Sequence, residues 1–401
     1  MATASKEVLE RTEAPTEAQA PVEKLQIRNI LCPVDFSDFS RRALRYAIGL
    51  SRHFGSRLFL QHTVQPSSYL LYEGPVVEHS AVQQNIASQL QRSREEIRRM
   101  LLSAGIDSSE VTVLLSDGEV TERILETISG ERIDLLVMGT HGHKGFSRLA
   151  VGSVTEGMIH HAVCPVLAVS RPLRDFVDPE DGERLRTILL ATDFSAHSDR
   201  ALAYALKWGW EWGAKVVVFH AVQEVPSAMQ GLADLFPEYN PAFEKQIAEA
   251  WDKIRHLIVK TQTGSVYNLN RDSMTWRRIA GRTGSSALET DAGKLLDWPK
   301  VQAGKPMKFQ YSPLRGDGDL RTITTSPVIP ETAGQGCEVV FEVRHGNPRE
   351  EILRVAEEKG ADLIITGARG VSQSGAPWGS VSSAVVRDGR LPVLVVRELS
   401  A

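Results

Sequence analysis

One strand–turn–helix pattern occurs twice in this chain, and that repeat restricts the folds open to it more than any other feature. An apolar run at 27–34 ends in Pro33-Val34-Asp35-Phe36-Ser37 and leads into a helical pattern through Ala43, Leu44, Ala47, Ile48 and Leu50. The same order returns at Ile188-Leu189-Leu190-Ala191-Thr192-Asp193-Phe194-Ser195, followed by Ala201, Leu202, Ala205 and Leu206. Asp35 and Asp193 lie 158 residues apart, as do His62 and His220 near the ends of the next apolar runs, 58–64 and 216–222. The register is therefore gap-free across a first strand–helix–strand unit.

Each copy continues through an amphipathic helix, about 83–103 and about 243–261, and then the register breaks. A third strand (111–115 and 339–343), a glycine (Gly118 and Gly346), a helix (120–128 and 350–358) and a fourth strand (135–138 and 363–366) follow in both. The glycines are 228 apart, so the second copy holds 70 additional residues, at about 264–333. A short helix and a last apolar strand, 165–169 and 392–396, close each copy. Strands alternating with helices predict an α/β protein of two doubly wound, five-stranded parallel-sheet domains with strand order 3-2-1-4-5.

The expected division is a disordered tail (1–24), a first domain (25–171), a linker (172–185), and a second domain (186–263 plus 334–399) interrupted by a small β module (264–333). The tail is rich in Ala, Glu, Thr and Pro, which cannot offset the entropy of ordering. The linker is polar, with Pro172, Pro179 and Gly182. The insert has short β-type runs at 265–269, 274–279, 306–311 and 320–325. Its Trp276 and Trp298 suit a core, and Arg271, Arg277, Arg278 and Arg282 suit either water or a docking surface for a partner or polyanion. The last strands are apolar edges, which predicts pairing between the two copies or in a homodimer. Trp208 and Trp212 share one helical face and are expected in a core or at the domain interface.

Directly after the fourth strand the first copy reads Gly139-Thr140-His141-Gly142-His143-Lys144-Gly145, and seven residues further on Gly152-Ser153. In this Gly-x2-Gly-x9-Gly-Ser pattern, glycines let main-chain N–H groups approach an anion, and Gly152-Ser153 opens a helix whose N-terminus favours negative charge. With strand order 3-2-1-4-5, Asp35 and Gly139 face one crevice at the strand switch. Lys144 and Ser153 add donors to a phosphate there.

These residues resemble the universal stress protein family, in particular its ATP-binding branch, over about 26–171 and, omitting the insert, 186–397. The resemblance implies ATP, with or without Mg2+, bound by Pro33, Asp35, Thr63, the loop Met138, Gly139, Thr140, His141, Gly142, His143 and Lys144, and by Gly152, Ser153 and Val154. The second copy departs from it. Gly367-Ala368-Arg369-Gly370 is followed by eight residues, not nine, before Gly379-Ser380, Ala191 replaces Pro33, and no lysine matches Lys144. Asp193, Gly367, Arg369, Gly370, Gly379 and Ser380 therefore define a weaker, altered second site.

Other chemistry finds less support. A Walker A loop is missing from the sequence. His141 and His143 lack companion ligands, and Cys32, Cys164 and Cys337 are widely spaced, so neither a metal site nor a disulfide framework is expected. Asp317 and Asp319 lack the 12-residue calcium-loop pattern and suit a turn. His62 and His220 suit packing. A net charge of -4 disfavours nucleic acid, and the sequence has neither a membrane-spanning apolar run nor an apolar secretion signal. The expectation is a cytoplasmic stress-response protein that binds ATP in its first domain as a nucleotide-dependent regulatory or binding module, with no catalytic residue assigned. A slow ATPase or phosphotransferase, and an interaction scaffold acting through the insert, are the alternatives.

Overall fold

A computed structural model describes residues 23–24, 26–65, 79–140, 151–170, 175–178, 182–222, 249, 258–260, 266–270, 274–279, 289–297, 299, 305–313, 321–327, 338–368 and 380–397. After β1 (Glu23–Lys24), the first copy runs β2 (Asn29–Pro33), α1 (Asp38–Phe54), β3 (Arg57–Val64), α2 (His79–Ser103), β4 (Val111–Asp117), α3 (Val120–Gly130), β5 (Leu135–Gly139), α4 (Ser153–His161) and β6 (Val166–Val169). A hairpin of β7 (Val177–Asp178) and β8 (Gly182–Glu183) follows.

The second copy begins with β9 (Thr187–Ala191), α5 (Ala196–Trp212) and β10 (Lys215–Val222). It then breaks into β11 (Ile258–Lys260), β12 (Val266–Asn270), β13 (Thr275–Ile279), β14 (Glu289–Leu295), β15 (Pro306–Pro313) and β16 (Arg321–Pro327). It resumes with β17 (Val339–His345), α6 (Pro348–Glu358), β18 (Leu363–Gly367), α7 (Ser380–Asp388) and β19 (Val393–Val396).

The first helix of each copy starts and stops for the same local reasons. Ser37 and Ser195 cap α1 and α5, accepting from the N–H of Ser40 (3.2 Å) and Ser198 (3.3 Å). Gly55 and Gly213 end them in the left-handed region, at φ 65° in both, where a side chain would be strained.

Ten of the described strands, five from each copy, join in one sheet ordered β17-β10-β9-β18-β19-β6-β5-β2-β3-β4. Each half has the expected order 3-2-1-4-5, with parallel neighbours throughout. The halves meet where β6 and β19 pair antiparallel, Leu167 opposite Leu394. The two apolar last strands thus close on each other within one chain. Helices α1, α2 and α5 cover one face of the sheet, packing on Ile30, Leu60, Val137 and Ile188. The other face is covered by α3, α4, α6 and α7 on Leu31, Leu136, Leu189 and Ile364. Coverage of both faces explains why the strands are near-continuous apolar runs rather than alternating ones.

The copies also lock together through their first helices. The His53 ring at the end of α1 stacks on Trp212 of α5, centroids 3.9 Å apart and planes 10° apart, and Phe54 meets Trp212 edge-on at 5.3 Å. Phe54 also reaches Trp208, which is wholly buried. Lys207, 3% exposed, pairs with Glu211 at 3.3 Å, and Glu211 lies 3.8 Å from His53 Nε2. The Trp208/Trp212 face is therefore an interdomain face.

Three sequence readings change. The stretch between the copies is more than a polar linker: Phe176 and Val177 are buried, Phe176 lies edge-on to Tyr46 at 5.0 Å, and the Tyr46 hydroxyl donates to Asp175 Oδ1 at 2.5 Å. Two buried apolar side chains in a polar context supply the packing that composition hid. Secondly, the helix expected at 243–261 does not include Ile258–Lys260, a strand paired with β12; before it, only Glu249 is described, in helix. Lastly, of the expected disordered tail only Glu23–Lys24 is described, and it pairs antiparallel with β14.

Strands β11 to β16 with β1 form a separate seven-stranded antiparallel sheet. Its core is Tyr267, Leu269, Trp276, Leu295, Met307 and Tyr311, with Trp276 edge-on to Tyr311 at 4.8 Å. Strands β12 and β13 lie against α5. Trp298, Arg271 and Arg282 fall outside the described residues. Among the described residues, no helix is long and apolar enough to cross a membrane.

Candidate functional site

The crevice opens where β2 and β5, paired side by side, both end. On the β2 side the chain leaves Pro33 through Val34 and Asp35 and turns at Phe36, whose φ of 66° is unusual for a side-chain-bearing residue. Two contacts hold that turn. Asp35 Oδ1 accepts from the Ser37 N–H (3.1 Å) and hydroxyl (2.6 Å), and His62 Nδ1 lies 2.7 Å from the Val34 carbonyl, with its ring 4.5 Å from that of Phe36. The second copy repeats this in Asp193 with Ser195, and in His220 with Thr192 and Phe194. His62 and His220 are thus turn supports, consistent with packing.

On the β5 side, Gly139 touches the start of α1. A Cβ there would lie 2.8 Å from Phe39 Cβ and 2.9 Å from its carbonyl carbon. Helix α4 is drawn to the same strand end, since Gly152 N–H donates to the Thr140 carbonyl (2.8 Å) and Thr155 Oγ1 to that of Gly139 (2.7 Å). Its N-cap is Gly152, with no side-chain hydrogen bond to the first turn. By contrast α1, α3, α5 and α6 are capped by Ser37, Glu119, Ser195 and Asn347. The first N–H groups of α4 and the exposed Ser153 therefore lack an internal acceptor from the cap, and chemistry of this kind suits an anion.

The expected ligand residues separate by environment. Pro33, Asp35, Gly139, Gly152 and Ser153 gather at the two strand ends and the α4 terminus. Thr63 sits one strand over, its hydroxyl 3.0 Å from that of Ser116. Met138 and Thr140, 4% and 1% exposed, turn their side chains inward and offer only main chain. Val154 is half-buried against the core. His141, Gly142, His143 and Lys144 lie outside the described residues. In the second copy Asp193 and Gly367 occupy the matching strand ends, and a Cβ on Gly367 would lie 2.9 Å from the backbone of His197 and Ser198. Ser380 opens α7, while Arg369, Gly370 and Gly379 lie outside the described residues.

One pair of anchoring residues was not read from the sequence. Asp134 Oδ2 accepts the N–H groups of Arg28 and Asn29, and Asp362 Oδ2 those of Arg186 and Thr187, at 2.8–3.0 Å. Both sit at the same place in the repeat, holding the entry of the first strand beside the fourth. Their equal offset from the glycines was the available signal. Burial pushes the Cys32 thiol well up and that of Cys164 to about 12, so both stay protonated packing residues. Cys337 lies outside the described residues.

Fold and crevice together define a tandem, doubly wound α/β protein with its clefts at the strand switch points. The chain belongs to the universal stress protein family, whose model matches residues 26–170, 184–267 and 308–397. It is 28% identical over 150 residues to a universal stress protein of Methanocaldococcus jannaschii, covering 37% of this chain and 85% of that one. To one of Thermus aquaticus it is 31% identical over 142 residues, covering 35% and 98%. Both relatives span a single repeat. A crystal structure of a universal stress protein from Archaeoglobus fulgidus aligns over 93% of this chain and 99% of its own, with TM-score 0.51 and 19% identity, a likeness of fold across both repeats.

Proposed function

We propose that the first copy binds ATP at the β2/β5 switch point and that the protein acts as a nucleotide-dependent regulatory module of the cytoplasmic stress response. The observation that carries this is the glycine-capped N-terminus of α4, tied by two hydrogen bonds to the end of β5. Its open N–H groups and Ser153 would hold phosphate oxygens, and Lys144 is the further donor the sequence offers. Asp35, across the crevice, would accept from a ribose hydroxyl. Mg2+ would accompany the phosphates and has no ligands assigned in the chain. The second copy, with one residue fewer in its glycine segment, is the altered site.

Calorimetric titration of the full chain with ATP tests this. One ATP should bind per chain. Asp35→Asn keeps an acceptor for Ser37 while removing the charge, and should weaken ATP about tenfold to a hundredfold, the equivalent of ~1.5–3 kcal/mol for a charged hydrogen bond. Asp193→Asn should leave the affinity unchanged. No heat of binding, or equal losses from both substitutions, would sink the reading.

A further inference from the structure

The two outer edges of the ten-stranded sheet are equivalent strands of the repeat, yet they are built oppositely. On β17 the edge is crossed by ions. Glu342 pairs with Lys359 at 2.5 Å and with Arg344, and Arg344 reaches Glu358 at 2.7 Å. Charges placed across an edge are a common protection against further strand pairing. At the matching positions of the first copy, 228 residues earlier, stand Leu114, Ser116, Gly130 and Glu131. Among the described residues those positions form no such network, and β4 has no strand on its outer side.

In its place is a cavity of about 780 Å³ running along β4 between α2 and α3. Its floor is apolar on both sides of the strand. Val113 and Leu115 face the side of Ile97 and Leu101 on α2, and Leu114 faces the side of α3. The α2 wall carries Arg94 and Arg98, both exposed, with Arg98 3.9 Å from Glu95, while the α3 wall holds Glu131 and the Arg123–Glu126 pair at 2.8 Å, whose Arg123 Nε donates to the Asp117 carbonyl at the end of β4 (2.9 Å). An edge strand offers main-chain donors and acceptors for one more strand, and flanking pockets select its alternate side chains.

We propose that this slot binds an extended acidic peptide segment of a partner protein, added as an eleventh strand along β4 with its carboxylates toward Arg94 and Arg98 and small apolar side chains against Leu114. A second copy of the chain fits less well. Edge-to-edge pairing about a two-fold axis normal to the sheet would bring α2 against its own image and set Arg94 and Arg98 beside like charges. The inference stands on the edge alone and is independent of the nucleotide reading.

The test uses the full chain and two synthetic seven-residue probes, one alternating glutamate with valine and one alternating lysine with valine, followed by fluorescence anisotropy. The glutamate probe should bind at least tenfold tighter and protect the outward-facing amides of Val113 and Leu115 from hydrogen exchange. Leu114→Glu, which installs the residue of the second copy, should weaken it at least tenfold. Arg94→Glu with Arg98→Glu, both at exposed sites that leave the fold intact, should invert the preference toward the lysine probe. Equal affinity for both probes, binding of neither, or protection away from β4 would overturn the proposal. So would binding that appears only when residues 1–22 are removed, which would assign the slot to the chain's own tail. A dimer in sedimentation equilibrium that Leu114→Glu dissociates would assign it to a second copy, with the same consequence.

Discussion

Gly139 meets two physical demands at once, main chain free to approach a ligand and a contact with α1 too close for any side chain. As part of a glycine pattern it reads as a place where main chain approaches phosphate. In the folded protein its hydrogen side faces Phe39 at the start of α1, and Gly367 faces His197 in the same way. The first glycine of the pattern is thus required by helix–strand packing, whatever occupies the crevice, and it persists in the second copy even though the spacing after it has changed. Gly139→Ala should therefore destabilise the chain by about 1–3 kcal/mol through overpacking, read as a lower urea midpoint with and without ATP. A loss of ATP affinity with unchanged stability would return Gly139 to a ligand-only role. Asp35 likewise supports the turn, through its Oδ1 contacts to Ser37.

At the scale of elements, α1 joins two places that matter. Its N-terminus borders the crevice, and its C-terminus, through His53 and Phe54, packs on Trp208 and Trp212 of α5. Phe54→Ala should cost about 3 kcal/mol by emptying the space between two tryptophans, and should shift tryptophan emission to the red in the folded state. Unchanged emission would mean that the interdomain face repacks without it. The edge strand β17 supplies a pH dependence. Partial burial opposes ionisation of Glu342, but the hydrogen bonds from Lys359 and Arg344 outweigh it and hold its carboxyl below the usual glutamate range. Because the folded value is the lower one, the stability it contributes is present in full above the unfolded value and disappears as pH falls through the folded one. Glu342→Gln should accordingly lower the urea midpoint at neutral pH and make no difference in strong acid. A gap that persists in acid would place the effect in packing rather than charge.

For the whole molecule, the main fact is asymmetry laid over a near-perfect repeat. Two parallel half-sheets meet at β6 and β19 and leave two unlike outer edges, one crossed by ions and one with an apolar floor and, among the described residues, no strand beside it. The second copy also carries a β sheet with its own core, seated on α5 beside the tryptophan face. The expected binding of one ATP per chain belongs to this scale, since it follows from the unequal glycine segments rather than from any single contact.

The repeat, the strand order and the general location of the crevice were legible in the sequence, because they depend on periodicity and on signals local to a few residues. Apolar runs mark strands buried on both faces, Ser37 and Ser195 mark helix starts, and the jump in offset from 158 to 228 marks the insert. Strand β14, with the sequence Glu289-Thr290-Asp291-Ala292-Gly293-Lys294-Leu295, carries no such signal and owes its conformation to its neighbours β13, β15 and β1. The same holds for Phe176 and Val177, apolar residues in a polar stretch that acquire a role only when α1 is beside them. Tertiary structure alone decided that β6 and β19 close on each other, why Gly139 admits no side chain, and which wall of the β4 slot is basic. Those properties arise between residues far apart in the chain, where only the folded backbone sets the distance.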